Sequence, residues 1–66
     1  MKIIVNGKEM LVEKQLTLQE LLVQIKIAPE LVACELNLKM IKRKSFAETP
    51  ICEGDQLEVL QMIGGG

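Results

Sequence analysis

Hydrophobic and polar positions first repeat with a period of two. Lys2-Ile3-Ile4-Val5 and Lys8-Glu9-Met10-Leu11-Val12 flank Asn6-Gly7. An Asn-Gly pair between two strand-like runs predicts a two-residue hairpin, because both central residues of a type I′ turn need positive φ. That loop length sets Val5 opposite Lys8 and Ile3 opposite Met10. Met1, Ile3, Val5, Met10 and Val12 then share one side, the expected core face, and Ile4 and Leu11 fall on the other. The period next changes to 3.6. Leu18, Leu21, Leu22 and Ile25 form an i, i+3, i+4, i+7 stripe within Leu16 to Lys26, which predicts one helix starting at Thr17. Thr17 and Glu20 fit a capping box, Leu16 and Leu21 a hydrophobic staple, and Pro29 marks the end of the helical region.

Strand-like patterning returns at Leu31 to Asn37, with Val32, Cys34 and Leu36 on one side, and a short extended piece follows at Lys39-Met40-Ile41. Ser45 to Ile51 reads as loop, with Phe46 plugging the open edge of the sheet. Glu53-Gly54-Asp55 is a turn signal leading into a final strand, Gln56 to Ile63. With Leu57 and Val59 facing the helix, alternation turns Leu60 and Met62 to the opposite side, together with Ile4 and Leu11. The order hairpin, helix, strand, short strand, final strand predicts an α+β fold: a mixed sheet of four to five strands with one helix on one face. First and last strands are then free to pair in parallel at the centre. That arrangement is the β-grasp.

Composition narrows the function. Sixty-six residues allow one domain, expected over residues 1–63, with 64–66 a flexible glycine tail. Eight basic and nine acidic residues give a formal charge of −1, which argues against a dedicated binder of nucleic acid or anionic membranes. No apolar run approaches spanning length and Met1 to Val5 is too short for a signal peptide, so a cytoplasmic protein is expected. Lys42-Arg43-Lys44 is either a small anion or partner site or a solvated surface run. Histidine is absent, and Cys34 and Cys52 are the two cysteines. Zinc sites need about four Cys or His ligands and a nucleophilic cysteine needs a nearby base, so no metal site and no catalytic residue are expected. The two cysteines read as reduced, partly buried apolar residues, without the secretory context that favours a disulfide.

The stretch that composition leaves unexplained is the end, Met62-Ile63-Gly64-Gly65-Gly66. Glycine pays the largest entropy on ordering, so a terminal run cannot be there to strengthen a fold. Fully extended, three glycines carry a terminal carboxylate about 10 Å from the strand and can thread a channel too narrow for other residues. Gly66 is therefore expected to be a chemical handle, used inside a partner's active site with Gly64 and Gly65 as its leash. Ile4, Leu11, Leu60 and Met62 are expected to dock the body on that partner.

Val5-Asn6-Gly7, Thr17-Leu18-Gln19-Glu20-Leu21-Leu22, Leu36-Asn37 with Arg43 downstream, Glu53-Gly54-Asp55 and the closing Gly65-Gly66 occur in one order across the whole chain. In this the sequence resembles the ThiS family of sulfur carrier proteins of thiamine biosynthesis, which are ubiquitin-like β-grasp proteins. The resemblance implies a carrier, not an enzyme, with no stably bound cofactor. An E1-like adenylyltransferase of the ThiF type would use ATP and Mg²⁺ to convert the Gly66 carboxylate to an acyl-adenylate. Sulfur from a cysteine desulfurase persulfide would then give a thiocarboxylate, and a thiazole synthase of the ThiG type would receive it. Gly64 and the basic run at 42–44 depart from the family's pattern. Three other readings stay open on the residues alone: a sulfur carrier for molybdopterin or another pathway, a ubiquitin-like protein modifier, and a β-grasp interaction module whose tail has no role.

Overall fold

Asn6 and Gly7 take φ of 50° and 82°, and the register pairs Val5 with Lys8 and Ile3 with Met10, as the turn chemistry requires. The computed structural model describes residues 1–13 and 15–61. Among them the elements are β1 (Lys2–Val5), β2 (Lys8–Leu11), α1 (Leu18–Gln24), β3 (Val32–Leu36), β4 (Lys39–Ile41) and β5 (Gln56–Gln61), with 3₁₀ turns at Pro29–Leu31 and Arg43–Glu48. The strands lie in the order β2-β1-β5-β3-β4. β1 and β5 pair in parallel at the centre, and the other neighbours are antiparallel. This is the α+β arrangement expected of a β-grasp. The final strand is described as far as Gln61, so the expected continuation to Ile63 and the tail over 64–66 lie outside the described residues.

Helix α1 begins as its first turn predicts. The Glu20 amide donates to Thr17 Oγ1 at 3.1 Å and the Thr17 amide donates to Glu20 Oε1 at 2.9 Å, so both reciprocal bonds of the capping box are made. Leu16 and Leu21 are both buried, as a staple requires. The helix ends earlier than expected, at Gln24 instead of Lys26. The cause is a Schellman closure: the Lys26 amide donates to the Val23 carbonyl at 3.0 Å and the Ile27 amide to the Leu22 carbonyl at 2.8 Å. Lys26 sits at φ 64°, a position where glycine is usual, and Ile27 packs back on the core. Pro29 therefore opens a separate 3₁₀ turn. Leu31 closes that turn and is exposed, so it lies outside the strand that was expected to start with it.

The remaining corrections concern connections. Asn37 was expected to end the third strand, but Asn37 and Leu38 (φ 53° and 70°) form a second two-residue hairpin that brings Leu36 opposite Lys39. Ser45 to Ile51 is not simple loop. Its first part is the 3₁₀ turn, in which Thr49 Oγ1 donates to the Ser45 carbonyl at 2.7 Å. That turn packs against α1 and buries Phe46 among the core residues.

Ile3, Leu18, Leu21, Leu22, Val32, Cys34, Phe46, Ile51 and Leu57 are almost wholly buried. Each large aliphatic side chain among them gains roughly 1.5–3 kcal/mol from leaving water. Met1, Met10, Ile25 and Leu36 pack at the margin. The core is thus one layer between α1 and one face of the sheet, and the opposite face carries the residues left over by alternation.

Candidate functional site

β5 carries the chain toward Gly66, so its surroundings define the candidate site. On its core side Leu57 and Val59 are buried, and on the open side Leu60 keeps 51% of its surface. Hydrogen bonds hold both of its long edges. The Ile4 amide donates to the Asp55 carbonyl at 2.9 Å and the Asn6 amide to the Leu57 carbonyl at 2.8 Å. The parallel ladder would stop there, since the chain turns away at Gly7. Instead the Asn6 side chain supplies a further rung: the Val59 amide donates to Asn6 Oδ1 at 2.7 Å, and Asn6 Nδ2 donates to the Val59 carbonyl at 3.3 Å.

A second asparagine does the same at the other end of β5. The Gln56 amide donates to Asn37 Oδ1 and Asn37 Nδ2 donates to Asp55 Oδ1, both at 3.0 Å. Asp55 Oδ2 in turn accepts from the Cys52 amide at 2.7 Å, and Glu53 Oε1 accepts from the Lys2 amide at 3.0 Å. The Glu53-Gly54-Asp55 signal is therefore a turn stitched to two hairpins, with Gly54 at φ +83°.

Alternation does put Ile4, Leu11 and Leu60 on the open face, but register spreads them out. Leu60 lies opposite Ala33, Ile4 beside Gln56, and Leu11 opposite Lys2. Counting rungs at about 3.3 Å per residue, Leu11 stands roughly 20 Å along the strand direction from Leu60. Leu11 is 80% exposed and Ile4 is half-buried. Met62, Gly64, Gly65 and Gly66 lie outside the described residues. The residues that do neighbour Leu60 were not singled out from the sequence. They are Ala33 opposite it, then Glu58 opposite Glu35, with Met40 beyond Glu35 on β4. Two glutamates directly opposite each other disfavour the sheet. Only strand register, which the sequence does not state for distant strands, could have revealed that pair.

The basic run divides. The Arg43 guanidinium donates to the Val32 carbonyl at 3.3 Å, tying the 3₁₀ turn to the start of β3, while Lys42 and Lys44 are exposed. The cysteines divide as well. Cys34 is buried, and burial pushes its thiol above the ordinary 9.0; Cys52 is exposed, against the expectation that it is partly buried. Both are free thiols. Among the described residues no group of three or more His, Cys, Asp or Glu could hold a metal ion, and no helix is long and apolar enough to cross a membrane.

This topology, with β1 and β5 parallel at the centre and the final strand leading toward the glycines, is shared with a known family. The ThiS family model matches residues 3–66, which includes the glycine ending. The chain belongs to the ThiS family. The sulfur carrier protein ThiS of Bacillus subtilis is 31% identical over 62 residues, covering 92% of this chain and 94% of that protein. The crystal structure of the thiamine biosynthesis protein ThiS from Geobacter metallireducens matches with a TM-score of 0.87 and 39% identity, covering 100% of both chains. A thiazole synthase of Paramagnetospirillum magneticum is 35% identical over 66 residues. That match takes in 100% of this chain but 20% of the synthase, so the chain spans a fifth of that relative's length.

Proposed function

We propose that this ThiS-family chain is a sulfur carrier of thiamine biosynthesis whose Gly66 carboxylate is the cargo site. The observation that carries this reading is that the family match runs through the glycines, joined to a fold whose central strand leads toward them. A carboxylate is a poor electrophile, so activation must come first. A carboxylate oxygen of Gly66 attacks the α-phosphorus of ATP and pyrophosphate leaves, giving the acyl-adenylate. A persulfide sulfur then attacks the acyl carbon, AMP leaves, and an acyl disulfide forms. A second thiol cleaves its S–S bond, is itself oxidised to a disulfide, and leaves the thiocarboxylate on Gly66. A thiazole-forming enzyme takes up that sulfur.

The catalytic groups belong to the partners, since the steps above use no side chain of this chain, which has no histidine. The partners are an E1-like adenylyltransferase of the ThiF type, which brings ATP and Mg²⁺, a cysteine desulfurase, and a thiazole synthase of the ThiG type. The thiazole synthase likeness supports the last of these. The setting is the cytoplasm. For docking we propose the open face at the Leu60 end, with Met62 beside the tail and Ile4 at the patch margin, leaving Leu11 to an outlying contact. Glu35 and Glu58 beside Leu60 and Met40 favour a partner surface that is apolar with basic groups, since opposed like charges are relieved by a cation. The test is to incubate the chain with a ThiF-type enzyme, ATP, Mg²⁺ and a persulfide donor. Sulfur should appear on the C-terminal peptide alone, and sulfur on Cys34 or Cys52 instead would sink the assignment.

A further inference from the structure

The Asn6 side chain stands out because the turn does not need it. Asparagine tolerates positive φ, but glycine does so more readily, and either would make the hairpin. What only asparagine or glutamine can supply is an amide that imitates a peptide group, with a donor and an acceptor side by side. Asn6 uses both on Val59. Asp55, Leu57 and Val59 successively turn backbone groups toward the β1 side of β5, where they meet the Ile4 amide, the Asn6 amide and the Asn6 side chain. The next residue with that orientation is Gln61, and β1 has no residue left to meet it. Among the described residues, the Asn6 clamp is thus the last rung on this edge of β5.

We infer that Asn6 is a positioning residue: its side chain braces the β1 edge of β5 at Val59, two residues before the described strand ends, and so favours the strand geometry from which Gly66 is presented to a partner. This rests on the sulfur-carrier reading above. With the clamp in place, β5 is held on both edges up to Val59, since β3 pairs with it on the other side. Without it, β5 is held by β3 alone from Glu58 onward instead of from Leu60 onward, and that end of the strand swings more freely about the β3 edge. Asn6 stands level with Glu58, beside the patch around Leu60, but its side-chain amide is spent on the Val59 backbone, so removing it leaves the apolar and acidic side chains of that patch in place. A partner then binds the body as before, but a smaller fraction of complexes has the carboxylate at the reacting phosphorus.

Asn6→Gly keeps the positive-φ turn and removes both side-chain bonds. Asn6→Asp keeps an acceptor for the Val59 amide but sets a carboxylate oxygen against the Val59 carbonyl. Amide hydrogen exchange of the free chain should show Val59 opening roughly tenfold more readily in Asn6→Gly and staying protected in Asn6→Asp, given the usual worth of such bonds. Adenylation by a ThiF-type enzyme with ATP and Mg²⁺, followed by pyrophosphate release, should show kcat down by about tenfold in Asn6→Gly with KM within about twofold, because misaimed complexes cost turnover and not docking. Asn6→Asp should fall between this variant and the native chain. A folded Asn6→Gly chain with native kcat, or with raised KM and native kcat, overturns the inference. If Asn6→Gly does not fold, the same split in Asn6→Asp decides. A native chain that is not adenylated at all overturns the carrier reading and the role built on it, an outcome separate from any difference between variants.

Discussion

Two leucines of β5 should respond to mutation in opposite ways. Leu57 is 1% exposed on the helix face and Leu60 is 51% exposed on the open face. Truncating a buried leucine to alanine costs roughly 2–5 kcal/mol. A 66-residue domain holds only a few kcal/mol in all, at about 0.05–0.15 kcal/mol per residue. Leu57→Ala should therefore lower the melting temperature by more than about 10 °C, at ~4–8 °C per kcal/mol for a domain of this size, or abolish folding. Leu60 has about half as much burial to lose, so Leu60→Asn should cost about 1–1.5 kcal/mol at most. Leu60→Asp should cost slightly more through its proximity to Glu58 and Glu35. Binding should reverse the ranking, with both Leu60 variants losing about 1–3 kcal/mol of affinity for the adenylyltransferase, the range of a residue at the centre of an apolar contact. Far-UV circular dichroism melts suit the first measurement, since the chain has no Trp or Tyr for fluorescence, and titration calorimetry suits the second. If Leu60→Asn unfolds, the facing of β5 is wrong. If it stays folded and binds as tightly as the native chain, docking lies elsewhere.

Further expectations follow from particular contacts. Thr17→Ala removes the acceptor for the Glu20 amide and should cost about 1 kcal/mol in urea unfolding, with Thr17→Asp nearly neutral. Lys26→Gly and Leu38→Gly relieve positive φ at residues with side chains and should each stabilise by up to ~1 kcal/mol; a loss of stability in both would contradict the backbone described here. A thiol reagent should titrate Cys52 rapidly in the native chain and Cys34 only after denaturation. Because burial raises the Cys34 pKa, the unfolded chain gives up its proton first. Its contribution to stability is complete below about pH 9 and falls as pH rises from there toward the folded value, and Cys34→Ala should remove that part of the slope.

How far the fold could be read in advance depended on whether a signal was local. Asn6-Gly7, the Thr17–Glu20 box and the leucine stripe act within a few residues, and each formed as its chemistry dictates. The helix end did not, because Lys26 fills a position where only glycine would have announced the left-handed turn. Leu38 hid the second hairpin for the same reason: Asn37-Leu38 lacks the glycine that made Asn6-Gly7 readable. The 3₁₀ turn at Arg43–Glu48 buries one side chain, Phe46, and is tied down by the Arg43 and Thr49 side-chain bonds, so it has no period to detect. For the candidate site, facing was legible from alternation, but which residues neighbour Leu60 was not. The opposition of Glu35 and Glu58, and the reach of Asn6 to Val59, are set by pairing between strands far apart in sequence. Solving those positions needs the register of β5 against both β1 and β3.

The most direct test of the account is the exact mass of the C-terminal peptide after reaction with a ThiF-type adenylyltransferase, ATP, Mg²⁺ and a persulfide donor. Replacing oxygen by sulfur shifts the nominal mass as methionine oxidation does, and Met62 lies in the same peptide, so exact mass and fragmentation must separate the two. The account predicts one sulfur in place of one oxygen on Gly66, dependent on ATP and abolished when a residue is added after Gly66. An unmodified Gly66 alongside a sulfur-bearing cysteine, or transfer that survives the added residue, would contradict it.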